Sequence, residues 1–441
     1  MNPPRDVAFH PPYVAPLISP VAHAVLERML EHFFPDAVLG ASAAAPAEAW
    51  IDMAAIGDDN VAFNWYGTRY TLQRQRRFSV FERLLLHTII ETAGERLLGH
   101  SGARAGGHRR ASLDDHCVAA FVTSSIIDGA TVDERQFIAT LTGVIAVLRH
   151  ATVSTQENRR ITSGALVRAD VDDGPLAAGA PRLRVDWPLR SWKTLHRLCD
   201  GVRTLAVIDS SGCLTSVLDV GGADASASRP TPYPVASGHR AHARATLDGR
   251  GVCLVLTAHG SIQLFAHGVQ VFTFEQGRWR LRNTGDKLVA WQQDVGDAEL
   301  ANRLLTAALD LSERRIGGMF VVLDDACDHA GLVSASDQLT AATASVSPAQ
   351  PLHYLFRGAN VLRMPDGVVE NAASIDGAVV LRRNGDLVAV GAILRSDGGL
   401  AGIEGARTTA AVAASAFGAV LKISEDGEIA FFRNRARQWS L

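Results

Sequence analysis

Residues Ser374 to Leu394 read SIDGAVVLRRNGDLVAVGAIL, and the fold of the last third of the chain turns on that stretch. Asp376, Gly377 and Ala378 open a run of alternating apolar residues, Asn384-Gly385 predicts a tight type I′ reversal, and Leu387 to Leu394 returns as a second strand. The expectation is a β-hairpin with one carboxylate, Asp376, at its root.

Outward from the hairpin, the pattern predicts an α/β domain. Upstream, Asp297 is a candidate N-cap, Leu300, Leu304, Ala308 and Leu311 fall on one helical face, and Gly317-Gly318 is the expected stop before a buried strand from Met319 to Leu323. Downstream, Gly398, Gly399, Gly402 and Gly405 lead into Arg407-Thr408-Thr409 and an alanine-rich segment. Strands from Ala419 to Ser424 and Ile429 to Arg433 follow, joined by the turn Glu425-Asp426-Gly427.

In this order, LLTAALDLSERRIGGMFVVL (304–323), IDGAVVLRRNGDLVAVGAIL (375–394) and GARTTAAVAASAFGAVLKISEDGEIAFF (405–432) resemble the diadenylate cyclase (DAC) domain. That domain occurs in DNA-integrity scanning proteins and in membrane-bound cyclic di-AMP synthases. The resemblance implies a nucleotide site. Asp376, with Gly377 and Ala378, would help position Mg²⁺ or Mn²⁺ and activate a ribose 3′-hydroxyl, and Gly405 and Arg407 would hold ATP phosphates. Ala406, Thr408 and Thr409 stand where the family has threonine, histidine and a second arginine. Ser424-Glu425 matches a Ser-Glu pair of the family, although a Glu-Asp-Gly turn explains it without a ligand.

The departure at Thr408 and Thr409 bears on chemistry. Joining two ATP molecules requires each 3′-hydroxyl to attack the other's α-phosphate in line, with cationic donors taking up charge as pyrophosphate leaves. Losing one preorganised donor costs ~3 kcal/mol of transition-state stabilisation. Threonine hydroxyls still bond phosphate oxygens, so binding survives such a change better than turnover. The expected function is a DAC-like nucleotide-binding sensor or regulatory protein for ATP or a cyclic dinucleotide, with weakened catalysis. The alternative is an active diadenylate cyclase, a nucleotidyltransferase making cyclic di-AMP; a self-associating scaffold is a third.

With 441 residues, 47% hydrophobic and 20% charged, the chain has material for two or three domains, and a net charge of −3 argues against a basic surface for nucleic acid. Cys117, Cys199, Cys213, Cys253 and Cys327 are odd in number and lack CxxC spacing, which predicts a reduced, cytoplasmic setting. No run approaches a membrane span, so signalling at a membrane would need a partner, and the sequence does not identify a downstream effector protein.

Residues 1–150 read as mostly helical, with helices expected over Pro20–Phe34, Ser79–Leu98 and Asp133–Arg149, a capping box at Ser79 and Glu82, and strand over Val61–Leu72. Arg74, Arg76 and Arg77 read as a solvated face, the glycine- and arginine-rich residues 101–111 as a loop. A second Asp-Gly-Ala, at 128–130, has no hairpin context and reads as chance. Asp324-Asp325 reads as a turn cap before a metal site, and His329 and His353 lack partners at zinc-ligand spacing.

Residues 151–290 read as β-rich, with an internal echo of the 297–435 domain. Leu195–Leu198 before Thr204–Ile208 parallels the helix before Met319–Leu323. Gly238-His239-Arg240-Ala241-His242 before Val252–Thr257 parallels Gly405-Ala406-Arg407 before Val420–Ser424. This suggests a shortened DAC-like unit without the Asp-Gly-Ala hairpin. In a pseudo-dimer, His239, Arg240, His242 and Arg244 would supply the phosphate contacts absent at Thr408 and Thr409; the rival reading is an ordinary sheet with an exposed His/Arg run.

Overall fold

The computed structural model describes residues 20–43, 51–55, 59–65, 68–97, 112–126, 133–156, 159–170, 183–185, 192–223, 230–325, 331–339, 351–395 and 405–441. The chain divides into two units, Met1–Ser125 with Gln276–Arg280, and Ile126–Glu275 with Leu281–Leu441. The fold is mixed α/β, and no described helix is long and apolar enough to cross a membrane.

The first unit carries α1 (Pro20–Phe33), β1 (Val38–Ala43), β2 (Ile51–Ala55), β3 (Asn60–Trp65), β4 (Thr68–Gln73), α2 (Val80–Leu97) and α3 (Leu113–Ile126). The alternation over Val61–Leu72 makes two strands rather than one. β3 turns back on β4 with Val61 beside Leu72, inside a sheet of order β1-β4-β3-β2. The capping box forms as expected: Ser79 N–H donates to Glu82 at 2.9 Å, and Glu82 N–H to Ser79 Oγ at 3.1 Å. Arg74 is not on a solvated face. It is 5% exposed, pairs with Asp36 and Glu82, and stacks on Phe78.

The second unit opens with α4 (Glu134–Thr152), capped by Asp133, and a two-residue ladder of β5 (Thr155–Gln156) with β6 (Arg159–Arg160). It then builds one sheet plan twice. The first copy comprises β7 (Ser163–Arg168), α5 (Trp192–Leu198), β8 (Thr204–Ile208), β9 (Leu214–Asp219), α6 (Val220–Ala223), α7 (Arg240–Arg244), β10 (Gly251–Leu256), β11 (Ile262–Ala266) and β12 (Val269–Glu275). The segment Gln276–Arg280, which carries most of β13 (Arg278–Leu281), belongs to the first unit. After α8 (Thr284–Val295), the second copy comprises α9 (Ala298–Glu313), β14 (Gly318–Leu323), α10 (Pro351–Phe356), α11 (Val368–Ala373), β15 (Ala378–Arg382), β16 (Leu387–Ala392), α12 (Ala406–Ala414), β17 (Gly418–Ile423), β18 (Ile429–Arg433) and β19 (Ala436–Ser440).

In space the first copy runs β12-β11-β10-β7-β8-β9 and the second β19-β18-β17-β14-β15-β16. β7 pairs parallel with β8 as β14 does with β15, and the other pairings just named are antiparallel in both copies. The echo is therefore real in topology, but its alignment needs correcting. Thr204–Ile208 corresponds to β15, not to β14, and β8 with β9 supplies the hairpin that the middle unit was expected to lack. Its root reads Asp200-Gly201.

The second sheet is sandwiched. Phe320, Val322, Val379, Leu381, Leu421 and Phe431 face α8, α9 and α11, while Met319, Val321, Val380, Val420 and Phe432 face α12. α9 buries Leu300, Leu304, Ala308 and Leu311 completely, each leucine contributing ~1.5–3 kcal/mol. Its N-cap is Asp297, as expected, accepting from Leu300 N–H at 2.8 Å. Its stop is not Gly317-Gly318. Arg315 turns left-handed at φ 56° and Ile316 N–H reaches back to Leu311 O at 3.0 Å, ending the helix at Glu313. The hairpin reversal also differs from the predicted type I′ turn. Gly385 alone of Asn384-Gly385 has positive φ, with its N–H on Arg382 O at 2.9 Å, as in a three-residue loop ending on a left-handed glycine.

Phe431 packs edge-on to Trp291, their ring centroids 5.2 Å apart, with Trp439 beyond it at 5.5 Å. Phe431→Ala is expected to cost ~3–5 kcal/mol through the cavity left among these rings. Denaturant unfolding followed by tryptophan fluorescence measures that loss.

Candidate functional site

Two strand registers decide what meets at the root of the hairpin. Phe320 lies beside Val379 in the parallel pair, and Gly318 beside Ile423 in the antiparallel one. The starts of β14 and β15 and the finish of β17 thus share one sheet end, where Gly317, Asp376, Ser424 and Glu425 stand.

The Asp-Gly-Ala tripeptide divides by role. Gly377 has φ 109°, and a Cβ there would sit 2.5 Å from the Gly391 carbonyl carbon, so only glycine fits against β16. Ala378 is 2% exposed and lies in the core below α12. Packing accounts for these two residues. Asp376 is exposed and makes no hydrogen bond or ion pair with any described residue.

Arg407 comes from the first turn of α12. A Cβ on Gly317 would lie 2.2 Å from its Nη1, so the guanidinium rests on the bare backbone of Gly317, at the sheet end that carries Asp376. Glu425 approaches the same nitrogen at 3.8 Å, and Ser424 is half-buried beside it in sequence. Gly405, at φ 73°, precedes the helix without a side-chain cap. Thr409 is turned into the helix, its hydroxyl donating to Gly405 O at 3.3 Å. Thr408 accepts from Lys422 Nζ at 3.0 Å. Lys422 is not among the residues that the sequence pattern singles out, and Gly317 serves as the resting surface of a guanidinium rather than as the stop of α9. The signal for Lys422 was a lone charge inside the apolar strand Gly418–Ile423.

The middle unit's cations are not brought to Arg407. Ser237 donates through Oγ to Asp310 on α9 at 2.8 Å, and His239 Nε2 lies 3.2 Å from Glu313 Oε1. Arg240 approaches the Ser237 hydroxyl at 3.5 Å. These contacts lie on the α9 side of the second sheet, whereas Arg407 springs from the helix on its other face. Burial on its own would raise the Glu313 carboxyl, but the hydrogen bond and charge of His239 hold it below the usual range. His242 is 1% exposed and donates from Nε2 to Gly201 O at 2.9 Å. Burial, with help from the neighbouring His239 charge, brings His242 down to about 4.

Other candidates have structural employment. Asp324 binds Arg383 at 2.8 Å and Arg433 at 3.0 Å, and these arginines hold it low against the opposing effect of burial. His353 lies on α10, and no three His, Cys, Asp or Glu among the described residues gather to hold a metal ion. Residues 396–404, 101–111, His329 and the second Asp-Gly-Ala lie outside the described residues. Two cavities open elsewhere. One of about 300 Å³ is lined by Asn360, Arg363 and Asp386 near the hairpin turn, and one of about 30 Å³ by Gln263, Glu275, Glu313 and Arg315 between the two sheets.

No family model and no curated protein matches this chain. Among solved structures it is similar to one titled "The crystal structure of the hypothetical membrane spanning protein from Bacillus cereus", at 23% identity and a TM-score of 0.21. The match covers 31% of this chain and 61% of that one, less than two thirds of its length, and is too slight to bear on the fold.

The buried His242 sets a pH dependence. The unfolded chain takes up its proton near the ordinary value of 6.5 and the folded chain only near 4, so folding stability is full above 6.5 and falls on acidification through that window. Thermal melts between pH 7 and pH 4 are expected to show this fall, and His242→Phe, which keeps the ring stacked on Phe265, to flatten it.

Proposed function

We propose that this chain is a DAC-like nucleotide-binding sensor or regulatory protein that takes ATP or a cyclic dinucleotide at the sheet end holding Asp376 and Arg407. The observation that carries the reading is Arg407 laid on Gly317 there, a guanidinium with Glu425 at 3.8 Å as its carboxylate neighbour. Arg407 meets phosphate bidentately, with support from the positive end of α12. Gly405, Thr408, Ser424 and Glu425 complete the ligand wall. Turnover is weak because Thr409 spends its hydroxyl on Gly405 O and Thr408 supplies no cation of its own. On this reading the protein works in the cytoplasm, signals to an effector protein, and self-associates through its DAC-like faces.

Asp376 favours the second reading, an active diadenylate cyclase. As a single exposed carboxylate it suits Mg²⁺ or Mn²⁺ delivered on nucleotide phosphates, since such ions are commonly held by one or two carboxylates plus the substrate. The metal would take up charge on the phosphates, while Asp376 holds it beside the 3′-hydroxyl.

Purified protein with ATP and Mn²⁺ separates the readings. Binding with little cyclic di-AMP or pyrophosphate is expected, and Arg407→Ala should weaken binding about ten- to a hundredfold. Dinucleotide formation that disappears in Asp376→Asn would establish the cyclase instead. Absence of both binding and product would leave only the scaffold.

A further inference from the structure

Lys422 lies in β17, a strand whose six residues are all buried, and is itself 7% exposed. Its side chain follows Val420 onto the sheet face covered by α12, where its ammonium donates to Thr408 Oγ1 at 3.0 Å. No carboxylate lies within ion-pair distance of it among the described residues, and the nearby Glu425 is directed to Arg407. A buried ammonium is costly unless a counter-charge accompanies it, and a hydroxyl supplies none. A methionine would fill similar space without that cost. The local field adds to the imbalance, because the nine-residue α12 begins at the same place with no side-chain cap on its N-terminal N–H groups.

We infer that Lys422 is a phosphate-binding residue of this sheet end, supplying from β17 the positive charge that α12 lacks at Thr408 and Thr409. One hydrogen of its ammonium holds Thr408, leaving two for a phosphate oxyanion, and Thr408 fixes where they point. Lys422 lies beside Met319, two residues after the Gly317 that Arg407 covers just ahead of β14, so the two cations flank the start of one helix. The ligand class is a phosphate ester or anhydride of a nucleotide, either the terminal phosphates of a triphosphate or the phosphodiester of a cyclic dinucleotide. This deepens the nucleotide reading of the same site and rests on it.

The test uses the full chain and its Lys422→Met, Lys422→Arg and Thr408→Val variants, with ATP, cyclic di-AMP, tripolyphosphate and adenosine as probes. In phosphate-free buffer Lys422→Met is expected to melt no lower than the wild type, because an uncompensated buried charge has been removed. Its affinity for the phosphate probe that the wild type binds should fall about ten- to a hundredfold, while Lys422→Arg keeps most of it and Thr408→Val loses a smaller share. Preference for ATP or for cyclic di-AMP tells the two phosphate sources apart. Equal binding of nucleotide by wild type and Lys422→Met overturns the role of Lys422 and leaves the nucleotide reading standing. Tripolyphosphate bound through Lys422 with no nucleotide bound does the reverse. No phosphate compound bound by the wild type, or failure of both Lys422→Met and Lys422→Arg to fold, overturns the assignment.

Discussion

The second unit depends on α9 serving two neighbours at once. Its apolar stripe, with Leu300, Leu304, Leu305 and Leu311 all at 0% exposure, closes one face of the C-terminal sheet. Its polar flank offers Asp310 to Ser237 and Glu313 to His239 and Gln263, and so receives the first copy of the sheet. The left-handed Arg315 that ends the helix is a costly conformation for a residue with a Cβ, on the order of 1–2 kcal/mol. Its guanidinium pairs with Glu275 from the other copy, which helps offset that cost. The same turn delivers Gly317 and Gly318 to the sheet end, so the place where Arg407 rests is set by how α9 finishes.

Close backbone approach shapes that sheet end. Gly377 passes Gly391 where no side chain fits, and Gly317 yields its surface to a guanidinium. Glycines at these points are structural requirements. The polar groups divide differently: Thr409 is absorbed by its own helix, Thr408 by Lys422, and Asp376 by nothing described. An exposed acid without a partner among the described residues, at the sheet end that also carries Arg407 and the buried Lys422, makes this end unlike the Asp324 end, where Arg383 and Arg433 neutralise the carboxylate at close range.

The alternation from Ala378 to Leu394, the cap at Asp297 and the capping box at Ser79 and Glu82 were legible because each is a local rule satisfied by residues within a few positions. Errors arose where distant partners decide. Arg74 is drawn into the interior by Asp36 and Glu82, a pairing no local pattern shows. Gly317-Gly318 reads as the stop of α9 because a left-handed arginine is uncommon, whereas Arg315 ends the helix and is held there with the aid of Glu275. The sequence echo of the middle unit falls one strand out of step because β7 and β8 are joined through a long connection, and parallel pairing leaves no turn signal to count from. Lys422 was visible as a charge in an apolar strand. Its direction, toward Thr408, depends on which face α12 covers.

The tandem sheets are copies in topology but not in what they leave open. The first copy has pressed the segment at Ser237–His239, its counterpart to the start of α12, against α9, and has enclosed His239 and His242 in doing so. Among the described residues the second unit therefore offers one accessible end of this kind, not two facing ones. Any event that needed a symmetric pair of such ends would have to recruit its second half from a separate molecule, making it second order in protein concentration.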